Sequence, residues 1–347
     1  MVDPTEQMIA ILRRDGRASF AEIARELNTN REFVAGRINP LVEAGELRIV
    51  AAVHPRILGL TVSAHLSIRV GGNVWRVVQA INALETPDFI SVVVGSFQIV
   101  VELQLRSTTE LRQEVSTIRA IEGVREVQVL LYESVLNNFF QGTAPVPAAD
   151  KPDALDVAII RRLAHDGRAN FADLARVVGL SLSGCRTRVQ RLTESGIIHI
   201  GAIKQRADMA RGLLFGIGAN TNHGDTEAIE LFRSQPGIEF LGRTVGRFDL
   251  VATVGFNSLS DFNGLISSLR SLSSVMDCEQ WLHVSLQRER YEQTLNWLGT
   301  LSRGDEEPEH STVPSQGVPR RKLKKKAPTS LRSGIRFVGR ARLPSPR

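Results

Sequence analysis

The 347 residues leave room for two or three domains of ordinary size, and 42% apolar residues exclude a wholly disordered chain. The formal charge of +6 is concentrated at one end: residues 299–347 hold 12 Lys/Arg against 4 Asp/Glu, leaving 31 basic and 33 acidic groups in residues 1–298. So neutral a body excludes nucleic-acid binding by bulk charge, and any such function must rest on a local patch.

In chain order the elements repeat. Leu12–Ala21 returns as Leu163–Ala172, and Val94-Gly95-Ser96-Phe97 as Val245-Gly246-Arg247-Phe248, both at an offset of 151 residues. Two copies at so long a period indicate duplication of a whole two-domain unit, since a solenoid stacks more and shorter units. Each copy opens on three short helices. In the first, Ser19 and Glu22 form a capping box for the second helix. In the second, Ala154–His165 carries Ile159, Ile160 and Leu163 on one face, and Asn170 caps a helix over Phe171–Val178 that Gly179 ends. A third helix, capped by Ser181 or Ser183, buries Cys185, Val189 and Leu192 and is followed by a short strand at Ile198–Ile200. This is a winged-type helix-turn-helix pattern.

The periodicity then changes. Copy one reads as strand Val62–Val70, helix Val74–Leu84, strands Ile90–Val94 and Phe97–Leu105, a helix bearing Leu111, Val115 and Ile118, and a strand bearing Val127, Val129 and Leu131. Copy two repeats this through Leu213–Asn220, Thr226–Phe232, Ile238–Val245, Phe248–Phe256, Leu259–Leu269 and Val275–Val284. The order β-α-β-β-α-β is ferredoxin-like, with both helices on one face and the bare face available for pairing. The predicted fold class is therefore α+β, as two tandem units. Its expected domains are a helix-turn-helix at 1–53, a ferredoxin-like domain at 60–140, a Pro/Ala linker at 141–152, a second helix-turn-helix at 153–204, a second ferredoxin-like domain at 211–298, and a basic, disordered tail at 299–347.

Leu155-Asp156, Ile159-Ile160, Leu163, Asp166-Gly167-Arg168, Leu174-Ala175, Arg188-Val189, Leu192, Gly196-Ile197-Ile198 and Gly246-Arg247-Phe248-Asp249 keep a characteristic order and spacing. Through them the chain resembles the Lrp/AsnC (leucine-responsive, feast/famine) family of transcription regulators. The resemblance covers residues 4–140 and 153–295; the departure is the fusion, since the usual chain has one unit. It implies binding to double-stranded DNA, oligomerisation, and a small effector, often an amino acid, near the Gly-x-aromatic-Asp hairpin. Pairing of the effector domains is open between homo-oligomers and an intrachain pseudo-dimer.

At 100° per residue the outer face of the third helix in copy two is Ser183, Arg186, Thr187, Gln190 and Arg191, with Arg188 on the flank. Arg and Gln match base edges in the major groove, and these six are the candidate DNA-binding residues. A solvated helix face carries the same residue types, so the helix-turn-helix setting is what favours DNA. In copy one the positions become Glu32, Ala35, Gly36, Arg37, Asn39 and Pro40, which is a poor reader. Gly246, Phe248 and Asp249 are the candidate effector residues, against the alternative that Gly246 only serves the turn and Asp249 only caps the hairpin. Copy one has Gln98 where Asp249 stands. Both differences assign the active role to the C-terminal half.

An enzyme is the alternative, because siroheme decarboxylases are similar to this family and occur as fused pairs. They carry His/Arg-rich and aromatic-rich stretches, whereas here aromatics are 5% and the histidines lie singly. No cofactor or metal motif is present; Cys185 and Cys278 lack metal or redox spacing and read as buried small hydrophobes. Phe89–Leu105, the longest apolar stretch, is interrupted by Ser91, Gly95, Ser96, Gln98, Glu102 and Gln104, and Met1–Glu6 has no secretion-signal pattern. The expected location is cytoplasmic, away from membranes.

Overall fold

The computed structural model describes residues 3–138, 151–204, 212–222 and 224–290; residues 141–150 of the linker expected at 141–152, and the tail expected at 299–347, lie outside them. Three helices come first, α1 (Pro4–Arg14), α2 (Phe20–Glu26) and α3 (Arg31–Glu43), then β1 (Leu47–Val53). The Ser19–Glu22 capping box is formed, each side chain taking the other residue's amide. Helix α3 runs through Pro40, although proline donates no amide to the ladder. After the second copy's start come α6 (Ala154–His165), α7 (Phe171–Val178), α8 (Leu182–Glu194) and β6 (Ile198–Lys204). Gly179 ends α7 with a left-handed φ of 68°.

The two helical modules are built into each other. β1 and β6 pair antiparallel from Leu47↔Lys204 to Val53↔Ile198, so each strand closes the other module's core. Ala51 and Val53 pack among Ile159, Leu163, Leu174 and Val189, while Ala202 packs among Met8, Leu12 and Ile23. The turns before α2 and α7 cross this ribbon closely: a Cβ on Gly16 would come within 2.9 Å of the Gly201 Cα, and one on Gly167 within 3.0 Å of the Ile49 carbonyl. Their amides donate to the crossing strands, Gly16 to Ile200 and Gly167 to Ile49, both at 2.8 Å. The Asp-Gly-Arg turn that marks the repeat is thus an interface element.

The remaining elements are β2 (Val62–Val70), α4 (Val74–Asn82), β3 (Pro87–Val94), β4 (Ile99–Leu105), α5 (Thr108–Arg119) and β5 (Val124–Asn138), then β7 (Leu213–Thr221), α9 (Thr226–Arg233), β8 (Ile238–Val245), β9 (Leu250–Phe256), α10 (Leu259–Ser271) and β10 (Val275–Glu289). Both sets follow β-α-β-β-α-β. Together their strands form one closed barrel in the order β10-β3-β4-β2-β5-β8-β9-β7. The bare faces therefore meet inside a single chain. Strands β5 and β10 each have 15 residues, longer than their apolar alternation predicts, because each pairs on both sides: β5 with β2 and β8, β10 with β7 and β3. Alternation sorts the side chains. Ala64, Leu66 and Ile68 of β2 face the helices, so Ser63, His65 and Ser67 face the barrel interior. Apolar packing of Val93, Val100, Leu130, Phe248, Val251 and Trp281 fills part of that interior. Among the described residues, no helix is long and apolar enough to cross a membrane, and Cys185 and Cys278 are free and buried.

Candidate nucleic-acid interface

Helix α8 starts where the Ser181 hydroxyl accepts the Gly184 amide at 3.1 Å, and it buries Cys185, Val189 and Leu192. That anchoring leaves Ser183, Arg186, Thr187 and Gln190 exposed. Gln190 donates to the Glu194 carboxylate at 2.7 Å, and the Arg186 guanidinium lies 5.2 Å from the centre of the Phe171 ring. These four occupy the expected outer face.

Arg191, which the helical wheel places on the outer face, and Arg188, which it places on the flank, both turn back to α6. Arg188 donates to Asp153 at 2.7 Å and to Asp156 at 2.9 Å, and Arg191 pairs with the second oxygen of Asp156. Asp156 is 1% exposed, and a buried carboxylate is costly without cationic partners. That requirement turns both arginines toward α6. The same two acids cap α6: the Asp156 amide donates to Asp153 at 2.8 Å, and the Asp153 amide to Asp156 at 3.1 Å. Burial works against the Asp153 carboxylate, but the Asp156 amide and Arg188 prevail and hold its pKa below the ordinary value. The side chains of Asp153 and then Asp156 raise the Arg188 pKa, keeping it charged. An open groove of about 680 Å³ runs along this cluster, with Lys151 and Thr187 also on its walls.

The counterpart of Asp156 is Thr5, and that of Arg191 is Pro40. Acid and base are therefore absent together from the first module. Its Arg37 is exposed and lies 5.3 Å over the Phe33 ring.

The three hairpin residues Gly246, Phe248 and Asp249 sit in three different surroundings. Phe248 is 3% exposed and belongs to the barrel interior, its ring 6.3 Å from that of Trp281. Gly246 takes a φ of 144° beside Leu130. The Asp249 carboxylate is on the surface, where it accepts the Thr221 amide at 2.7 Å and so ties the hairpin to β7. Between Gly246 and Phe248, Arg247 lies 5.4 Å over Phe97 of the first half and pairs with Glu279.

Sequence reasoning passed over three sets of residues. Asp156 was visible only as a motif letter, and its partners are more than thirty positions away. Arg17 and Arg168 belong to the repeated Asp-Gly-Arg stretch, whose local spacing gives no sign that each reaches the opposite module. His65 and Glu102 sit at the alternate, polar positions of strands whose bare face the pattern left unassigned; a polar stripe on a strand expected to pair was the available signal.

An AsnC-type helix-turn-helix domain matches residues 153–193, the span that contains the α6–α8 cluster. An uncharacterised HTH-type transcriptional regulator of Pyrococcus abyssi is 28% identical over 131 residues, 37% of this chain and 83% of that relative. The HTH-type transcriptional regulator FL11 of Pyrococcus furiosus is 26% identical over 132 residues, 37% of this chain and 87% of the relative. Among solved structures, the siroheme decarboxylase NirDL aligns with a TM-score of 0.54 at 14% identity, over 86% of this chain and 98% of that one. At that identity the likeness is one of fold. Three capped helices presenting a polar outer face define a DNA-binding protein of the helix-turn-helix class. Residues 153–193 carry the AsnC-type helix-turn-helix of the Lrp/AsnC regulators, and the chain is similar to HTH-type transcriptional regulators over about a third of its length.

Proposed function

We propose that one chain does the work of a regulator dimer, two family units fused in tandem, and that it reads double-stranded DNA through α8 of its second unit. The supporting observation is the division of labour on α8. Arg188 and Arg191 are held by Asp153 and Asp156, which fixes the helix, while Ser183, Arg186, Thr187 and Gln190 stay exposed for base edges and phosphates. With one such helix per chain, a palindromic operator takes two chains. The first module contributes β1 to the second module's core, and its α3 stands aside from DNA. Genome-wide mapping of bound fragments, followed by mobility-shift titration of the full chain on the recovered site, tests this. Binding that survives Arg186→Ala with Gln190→Ala but is lost when Arg31 and Arg37 of α3 are removed would reverse the assignment.

The effector reading is carried into the same proposal at Gly246, Phe248 and Asp249, with a narrower role for each. Phe248 and Gly246 set the hairpin against the barrel, and the surface carboxylate of Asp249 is the group that would accept an amino-acid ammonium. Thermal-shift screening of amino acids against wild type and Asp249→Ala checks it. If no amino acid stabilises the wild type, the hairpin has only its structural role.

The regulator reading is preferred to the decarboxylase one because its named relatives are regulators, whereas the enzyme likeness is confined to fold. Chemistry agrees. A tetrapyrrole bearing many carboxylates calls for cationic walls, and the cavity inside the barrel carries carboxyl groups.

A further inference from the structure

The barrel interior is not filled throughout. Beside the apolar cluster it keeps a cavity of about 150 Å³, walled by both halves of the chain. Small eight-stranded barrels are either packed solid or hold one small ligand. Its walls are largely apolar, yet ionisable side chains stand among them. Four carboxyl groups line it, those of Asp88, Glu102, Glu239 and Glu289, against one guanidinium, Arg290. Arg290 sends its Nη1 away to the Glu85 carbonyl at 2.9 Å. Four aromatic rings, Phe89, Tyr132, Phe240 and Trp281, complete the walls. Carboxylates among aromatic faces are the surroundings that an organic ammonium ion seeks.

A second observation points to a ligand. Trp281 is 7% exposed and lines the cavity, yet its indole N–H has no hydrogen-bond partner. Natural structures rarely leave a buried donor unsatisfied. The occupant should therefore bring an acceptor as well as a positive charge. A wall of carboxyl groups disfavours a carboxylate in that role, so a neutral oxygen is expected.

The cavity is also built asymmetrically. In the first half, the Glu102 carboxylate receives the Tyr132 hydroxyl at 3.1 Å and contacts His65 Nδ1 at 2.7 Å, and His65 Nε2 reaches the Ser67 hydroxyl at 3.1 Å. Burial, together with Glu102, raises the Tyr132 pKa well above its ordinary value, so the phenol keeps its proton. The equivalent positions in the second half are Thr253 for Glu102, Gly216 for His65 and Gly218 for Ser67. Those glycines make room for rings: a Cβ on Gly216 would lie 2.0 Å from the Trp281 indole, and one on Gly218 2.4 Å from Phe248. The first half supplies the hydrogen-bonded Glu102, His65 and Tyr132; the second supplies space and the indole, and both contribute carboxyl groups.

We propose that this cavity binds a small organic ammonium ion carrying a neutral hydrogen-bond acceptor, of the size of an amino alcohol, with Glu102 as counter-ion and the Trp281 indole as donor. The site is separate from the hairpin at Asp249 and independent of DNA binding. Ethanolamine and choline are suitable probes, with betaine as the carboxylate-bearing control. Isothermal titration of the full chain should show saturable binding of at least one of the two, tenfold or more tighter than betaine. Glu102→Gln and Trp281→Phe should each weaken it at least tenfold. Should Glu102→Gln fail to fold, Ser63→Leu serves instead: it fills the cavity with the residue that the second half carries as Leu214, and it should abolish binding while the unfolding transition stays cooperative. Absence of binding for both amines, equal binding of betaine, or affinity unchanged in these variants would overturn the proposal.

Discussion

Arg17 and Arg168 hold one another's turns. Arg17 donates to the carbonyls of Gly167 and Ala169 at 2.8 and 3.0 Å, and Arg168 donates to those of Gly16 and Ala18 at 2.8 and 2.6 Å. Each guanidinium also covers an aromatic ring of the opposite module, Arg17 over Phe171 at 4.5 Å and Arg168 over Phe20 at 5.1 Å. Burial lowers the pKa of both. Replacing either by Ala leaves two carbonyls to find water and should cost roughly 1–3 kcal/mol in urea unfolding. Lysine should not restore it, because a point charge cannot span two carbonyls. Full stability in Arg17→Lys would show that the fork is unimportant.

Arg191 and Arg186 should separate stability from DNA binding. Arg186→Ala and Gln190→Ala are expected to cost about 1–3 kcal/mol each on the operator if they contact bases, with unfolding unchanged. Arg191→Ala should instead destabilise the fold by about 1–3 kcal/mol, since it takes a charge-assisted partner from the buried Asp156. The contrary pattern, a stable Arg191→Ala protein with lost operator affinity, would make Arg191 a direct reader.

Asp88 should make stability fall as pH rises. Burial and the neighbouring Glu102 of β4 push its pKa from 3.8 up to about 8, against the opposing pull of Arg290, just past β10, and Arg288, near its end. Glu239, Glu289, His65, His283 and Tyr132 share the cavity with it. The folded chain then binds this proton more tightly than the unfolded chain does. Its stabilising contribution is complete below the ordinary carboxylate pKa and is lost progressively up to about pH 8. Melting temperatures followed from pH 5 to 9 should decline less in Asp88→Asn than in wild type. Parallel curves would place the titration elsewhere.

The Lys/Arg-rich terminus, with Arg320-Arg321-Lys322 and Lys324-Lys325-Lys326, should add phosphate affinity that does not depend on base sequence. Deleting residues 303–347 is expected to flatten the plot of log affinity against log salt. An unchanged slope would leave all phosphate contacts to the body of the protein.

What the sequence made legible was local. The Ser19–Glu22 box, the Gly179 stop and the inward trio Cys185, Val189 and Leu192 all depend on near neighbours, and each lies where the spacing puts it. Pairings across the chain were not legible. Nothing near β1 says that it will pair with β6, and nothing in β5 or β10 says that each will serve two partners. Arg191 points where it does because of an aspartate 35 residues earlier. A helical wheel gives the angle at which a side chain leaves the helix and is silent about the charge that bends it back.

The closed barrel bears on how such a protein can change. Where two identical subunits meet, each substitution appears on both sides of the axis at once, and a pocket on that axis must tolerate the doubled side chain. Two copies of the first half would face His65 with His65; two of the second would crowd one Trp281 indole against another. Here each position is altered singly. His65 corresponds to Gly216, and Glu102 to Thr253, so a lock with unlike jaws can close around a molecule that has no symmetry of its own.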